Sequence, residues 1–194
     1  MRGLLSSERY DEIKKEVIFM FEECGVDTYP IDPFFIARKL RYVLRPYSSL
    51  PFEDYVAAYG ESPDAFSRVE LNHGTRMLEY VIYYNDEQIF PGRIRWTLLH
   101  EIGHCYLGHH DNPDDSKYPI EEAEADFFAK YAIAPPPLIH VCHCSSASDI
   151  MRLFMTSQTA AKYCFDYYQK WWFYGPSEFL DFERQLLRLF NIAA

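Results

Sequence analysis

The chain has 194 residues, a size that suits one domain, or one domain with a small appendage. Hydrophobic residues make up 48% and aromatics 18%, with 16 Tyr and 15 Phe, which is ample for a core and excludes a disordered chain. The net charge of −10 argues against a general binder of nucleic acid or anionic membrane.

Ser6-Ser7 caps a first helix with Glu8 in its first turn. Tyr10, Ile13, Val17, Met20 and Phe21 give it an apolar stripe that ends near Gly25. Asp32-Pro33 starts a second, short helix, with Phe35, Ile36 and Leu40 on its buried side. Tyr42-Val43-Leu44 reads as a brief strand before Pro46, and Pro51 to Tyr59 as a third helix closed by Gly60. The period then changes. Ala65 to Leu71 alternates, Asn72-His73-Gly74 offers a turn, and Met77 to Tyr84 is rich in β-branched and aromatic residues, so two antiparallel strands are expected. A helix follows from about Arg93 to Leu107, then a polar loop from Gly108 to Pro119, then a helix from about Ile120 to Ala134 that Pro135-Pro136-Pro137 cannot continue. Short and longer helices are expected over Asp149–Met155, from Ser157 to about Trp172, and over Glu178–Phe190.

The residues from Leu138 onward are charge-balanced, so the deficit lies in residues 1–137, much of it between Asp111 and Asp126. The N-terminal residues show no apolar signal core, and no apolar run approaches the roughly 18–20 residues that span a bilayer. The five cysteines (Cys24, Cys105, Cys142, Cys144, Cys164) have no framework spacing and read as reduced thiols, so a cytoplasmic location is expected.

The stretch that carries chemistry is His100-Glu101-Ile102-Gly103-His104, an H-E-x-x-H pattern. On a helix these histidines differ by only about 40° and sit one turn apart, so both imidazoles can reach one metal ion. Glu101 points beside the pair, where it can take a proton from a water at the metal rather than bind the metal itself. Ile94, Leu98, Ile102 and Cys105 recur at helical spacing and give this helix a core to rest on.

A catalytic zinc wants three protein ligands and one open position. His110 stands where the pattern H-E-x-x-H-x-x-G-x-x-H places a third histidine, but that pattern needs Gly at 107, and Leu107 stands there with the glycine at Gly108. The acidic helix start Glu121-Glu122-Ala123-Glu124-Ala125-Asp126 offers the other candidates. Glu122 and Asp126 share a face, so Glu122 can bind the ion while Asp126 accepts the outer N–H of a ligand histidine. Glu124 lies about 200° around from Glu122 and cannot share that face. Glu122 is therefore preferred, with Glu124 and His110 as alternatives.

The block Arg93-Ile94-Arg95-Trp96-Thr97-Leu98-Leu99-His100-Glu101-Ile102-Gly103-His104, followed by Glu122-Ala123-Glu124-Ala125-Asp126-Phe127-Phe128-Ala129, resembles the ImmA/IrrE-like metallopeptidase family. Trp96 stands where the family usually has Phe, and the resemblance covers about Phe66 to Pro135. It implies a minimal gluzincin-like fold, a zinc ion and peptidase activity, with a helix-turn-helix repressor of a phage or mobile element as the kind of protein that is cut. The expected class is thus α+β: a small zincin-like metallopeptidase core over 1–137, with a short antiparallel sheet packed on the active-site helix, and a C-terminal helical subdomain over 138–194 packed on that core. Zn²⁺ is the expected cofactor, with His100, His104 and Glu122 as ligands, Glu101 as the catalytic base and Asp126 behind a histidine. The expected partner is a repressor-type protein substrate, with no direct nucleic-acid or membrane contact. The rival is a regulatory protein that sequesters such a partner without cutting it; Glu101 favours the enzyme, because a structural site has no need of it.

Two further stretches stand out. His140, Cys142, His143 and Cys144 crowd soft ligands together, but not at the spacings that structural zinc prefers; read as extended, His140, Cys142 and Cys144 share one side. Residues 151–172 resemble a helix-turn-helix in outline, yet carry too few Arg and Lys for DNA reading, so a bundle docked on the core is expected. Trp171-Trp172-Phe173-Tyr174 is expected in the core.

Overall fold

The computed structural model describes residues 4–88, 90–111 and 116–193. The fold is α+β. Helix α1 (Ser7–Cys24) starts where the Ser6 hydroxyl accepts the Arg9 N–H and stops at Gly25, whose φ of 71° lets its N–H turn back onto Glu22 and Phe21. Its stripe of Ile13, Val17, Met20 and Phe21 is fully buried, each side chain contributing roughly 1.5–3 kcal/mol against exposure. Helix α2 (Pro33–Lys39) opens with Asp32 accepting the Phe34 N–H.

Three strands form one sheet in the order β1-β3-β2. β2 (Ala65–Asn72) and β3 (Met77–Tyr84) make the expected antiparallel hairpin, with Ala65 opposite Tyr84 and Asn72 opposite Met77. The sheet is nevertheless mixed: β1 (Val43–Pro46) runs parallel to β3, Val43 beside Val81. The chain between β1 and β3, which includes β2, reverses direction twice, which alternation within each strand does not reveal. Pro46 is tolerated because β1 is an edge strand and needs no donor on its outer side. Helix α3 (Phe52–Glu61) does not close at Gly60: that residue lies within the helix, at a negative-φ backbone, and the chain leaves at Ser62.

Helix α4 (Pro91–Tyr106) lies on β2 and β3, and α5 (Tyr118–Ile133) lies against α4. α1 packs on the outside of α5, and α2 on α4. The loop expected over Gly108–Pro119 is described only at its two ends; residues 112–115 lie outside the described residues, as do residues 1–3 of the N-terminal stretch read for a signal segment. The prolines stop α5 as expected, but Pro136 then begins a new helix, α6 (Pro136–Val141), because proline suits a first helical turn whose N–H groups have no partner within the helix. The remaining helices are α7 (Ala147–Leu153), α8 (Gln158–Tyr174, capped by Ser157) and α9 (Asp181–Leu189). α9 starts later than expected, where Glu183 accepts the Leu180 N–H. α8 packs on α5, α6 and α7, and α9 on α1 and α6.

One large core joins α1, α2, α4, α5, α6, α8 and α9; a smaller cluster of Tyr47, Ala58, Val81 and Tyr83 lies under α3. The aromatic run is not core: Trp171 is half-buried and donates its indole N–H to Glu183 (2.6 Å), but Trp172, Phe173 and Tyr174 are exposed. It occupies the last turn of α8, where the helix runs past the elements that cover it. The five cysteines are free thiols, four of them buried. Among the described residues no helix is long and apolar enough to cross a membrane.

Candidate metal centre

Helix α4 turns Leu98, Leu99, Ile102 and Cys105 into the core, which leaves His100 and His104 side by side on its opposite edge. Gly103, between them, lets α5 come close: a Cβ there would lie 3.1–3.2 Å from Phe128, tighter than ordinary contact. That approach brings Glu122 to the histidines. Its Oε1 lies 3.2 Å from His104 Nε2 and its Oε2 3.5 Å from His100 Nε2, and the two Nε2 atoms are 3.1 Å apart. Among the described residues, His100, His104 and Glu122 alone bring three such ligand atoms within 4.8 Å of one another.

The surroundings fit a cation. His100 Nδ1 sits 3.1 Å from Asp126 Oδ1, and a carboxylate can only accept, so the ring proton is on Nδ1 and a lone pair on Nε2 faces the gap. Two imidazole nitrogens and a carboxylate oxygen thus converge, a donor set that suits a divalent cation. Burial works to lower the His100 pKa, but Asp126 and Glu122 outweigh it and push it up to about 10. The same two histidines hold Glu122 well below the usual carboxylate range.

Glu101 is on the same helix but points elsewhere. It is only 7% exposed, and Ser67 on β2 donates to its Oε2 (2.7 Å). Burial pushes its carboxyl above the usual range, against the pull of His100 and of the Ser67 hydrogen bond. Ser67 Oγ also lies 2.9 Å from His110 Nε2, so His110 supports the hydroxyl that supports Glu101 and is not grouped with the metal donors. A cavity of about 570 Å³ opens onto His100, His104, Glu122, Glu101 and His110, walled further by Trp96, Tyr118 and Glu121 and by Ala65–Ser67 of the edge strand β2.

Glu124 faces the other way, as its angular position requires. Arg9 clamps it from α1 (Nε 2.7 Å, Nη2 2.8 Å), and it lies 3.0 Å from His109 Nε2. His109 Nδ1 is in turn 2.9 Å from His104 Nδ1. Sequence reasoning missed Arg9, Ser67 and His109. For His109 a signal exists: Gly108 at φ 74° turns the chain back at the end of α4, so that His109 N–H reaches His104 O and the ring lands behind His104. The glycine one position late in the three-histidine pattern thus brings in His109 as a neighbour of a candidate ligand. His140 does not join Cys142 and Cys144 on one side of an extended segment. α6 carries it to Tyr168 (3.2 Å) and onto the Trp172 ring, while Cys144 is buried in the core.

The fold and this site together give a small α+β domain whose central helix presents His-Glu and His one turn apart beside an acidic helix. Residues 61–134, from the end of α3 through the hairpin, α4 and α5, match the model of the family described as Peptidase U49. The match supports a peptidase, and with it a protein substrate. No curated protein matches the chain.

Proposed function

We propose that this chain is a zinc-dependent endopeptidase that cuts a specific regulatory protein, such as a helix-turn-helix repressor of a phage or mobile element. The observation that carries the reading is the convergence of His100, His104 and Glu122 beside Glu101, within a segment that matches a peptidase family. Two imidazoles and a carboxylate suit zinc, and three protein ligands are what a catalytic zinc keeps. Held by His100, His104 and Glu122, a zinc ion would supply a water of pKa about 7 and a Lewis acid for the peptide carbonyl.

The remaining work falls to the chain's own residues. Glu101 accepts the proton of the attacking water and delivers it to the leaving nitrogen. Its burial favours the protonated form, which suits a group that must hold a proton between two steps. The Ser67 hydroxyl fixes which way the carboxylate points, and Asp126 holds the His100 proton on Nδ1. The cavity wall adds Glu61, Asp64 and Glu121, so its field favours a basic segment, in keeping with a DNA-binding protein as substrate.

The test incubates the purified protein with the repressor-type regulator encoded beside it, with and without a chelator, and repeats it with Glu101→Gln. A new fragment that needs metal and Glu101 supports the protease. An intact, stable complex under every condition would replace it with the sequestering protein.

A further inference from the structure

Behind His104, on the side away from Glu122, three residues from separate parts of the chain form a hydrogen-bonded row. Arg9 of α1 donates Nε–H to Glu124 Oε1 and Nη2–H to Oε2. Glu124 Oε2 meets His109 Nε2 at 3.0 Å, and His109 Nδ1 meets His104 Nδ1 at 2.9 Å. Glu124 and the His109 ring are buried.

The direction of every proton in this row follows from its first member. A guanidinium only donates, and occupying both oxygens it keeps Glu124 ionised and therefore acceptor-only. His109 must then carry its proton on Nε2. A neutral imidazole has one proton, so with it on Nε2 the ring's Nδ1 is left as an acceptor toward His104. Only His104 Nδ1–H can satisfy it. The lone pair of His104 is thereby placed on Nε2, the atom that faces His100 and Glu122.

We propose that Arg9, Glu124 and His109 are positioning residues that fix the tautomer and ring orientation of His104, and so set the affinity of the centre for its metal. The inference rests on His104 being a metal ligand. It gives α1 a part in the site, although α1 lies outside the segment that matches the peptidase family. Without the row, His104 is free to carry its proton on Nε2, where it blocks coordination.

The experiment measures zinc affinity by competition with a chromophoric chelator for wild type, Glu124→Gln, His109→Leu and His109→Asn. It reads the histidine tautomers of the wild-type protein by long-range ¹H–¹⁵N correlation NMR. Glu124→Gln replaces an acceptor with a group that also donates, and His109→Leu removes the acceptor; each should weaken zinc binding by about 10–100-fold. His109→Asn, whose amide oxygen can stand where Nδ1 stood, should recover most of the loss. The NMR spectrum should show His104 protonated on Nδ1 and His109 on Nε2. If the row were merely an ion pair fastening α1 to α5, the variants would melt earlier yet bind zinc as tightly as wild type, which overturns the inference alone. His109 protonated on Nδ1 in wild type also overturns it, even where His109→Leu does not fold. Wild type that binds no zinc would instead overturn the metallopeptidase reading itself.

Discussion

At the scale of single residues, the three acids near the histidines have three different tasks. Glu122 faces both Nε2 atoms, Glu124 faces His109 and Arg9, and Asp126 faces the outer nitrogen of His100. Replacing Glu122 with Ala should cost more zinc affinity than replacing Glu124, and replacing His110 should cost least; metal titration of the three purified proteins ranks them. Glu101→Gln should keep the metal and lower kcat by about 10²–10⁴-fold, the usual worth of a general acid–base group, checked by cleavage assay alongside metal content. Ser67→Ala leaves the buried Glu101 and His110 without their shared partner, so it should lower stability by about 1–3 kcal/mol as well as activity, read from denaturant titration. That His100 lies beside His104, and that Glu122 and Asp126 both turn toward them, was legible because helical periodicity places each pair on one face. Arg9 and Ser67 were not, since each reaches the site from an element far away in sequence, and no local period reports such a contact.

At the scale of elements, the close approach of α4 and α5 decides whether Glu122 reaches the histidines at all. Gly103 makes that approach possible. Gly103→Ala gains about 0.8–1.0 kcal/mol of helix propensity but forces a methyl against Phe128, which is wholly buried and has nowhere to move. Overpacking costs about 1–3 kcal/mol, so the net effect should be destabilising, with weaker zinc binding as the helices part. Gly92→Ala should be worse. Its added Cβ would meet the backbone of Thr156 and Ser157 at 2.5 Å, and backbone yields less readily than a side chain. Thermal melts of the two variants compare them directly. The helix starts at Ser6, Asp32 and Ser157 were readable because a capping side chain announces them. Gly60 misled because its backbone stays helical instead of turning left-handed as Gly25 does, so α3 runs one residue past it. α6 was hidden because proline both ends one helix and begins the next.

At the scale of the whole molecule, the hairpin and the helical layers are held by different forces. The helices share one apolar core, whereas the outer face of the hairpin carries Arg68 and Tyr83 hydrogen-bonded to Glu70, with Arg45 alongside. Burial raises the Glu70 pKa, but Tyr83 and Arg68 outweigh it and hold it below the usual glutamate range. A lowered carboxylate pKa stabilises the fold above the unfolded value and loses that contribution as pH falls through the folded one. Stability should therefore decline on acidification through the carboxylate range, and Glu70→Gln should flatten part of that decline in urea titrations taken across pH. The balanced charge of residues 138–194 and the acidic remainder were plain in the sequence, as was the α+β class. The parallel placement of β1 was not, because it depends on how the chain returns rather than on any strand's own pattern. The central claim is that two imidazoles and one carboxylate hold a single zinc with a position left open. X-ray absorption at the zinc edge of the loaded protein tests it most directly. The account predicts nitrogen and oxygen neighbours only, at about 2.0–2.2 Å, with scattering from two histidines. Sulfur at about 2.3 Å would place the metal at the cysteines instead, and would contradict the account.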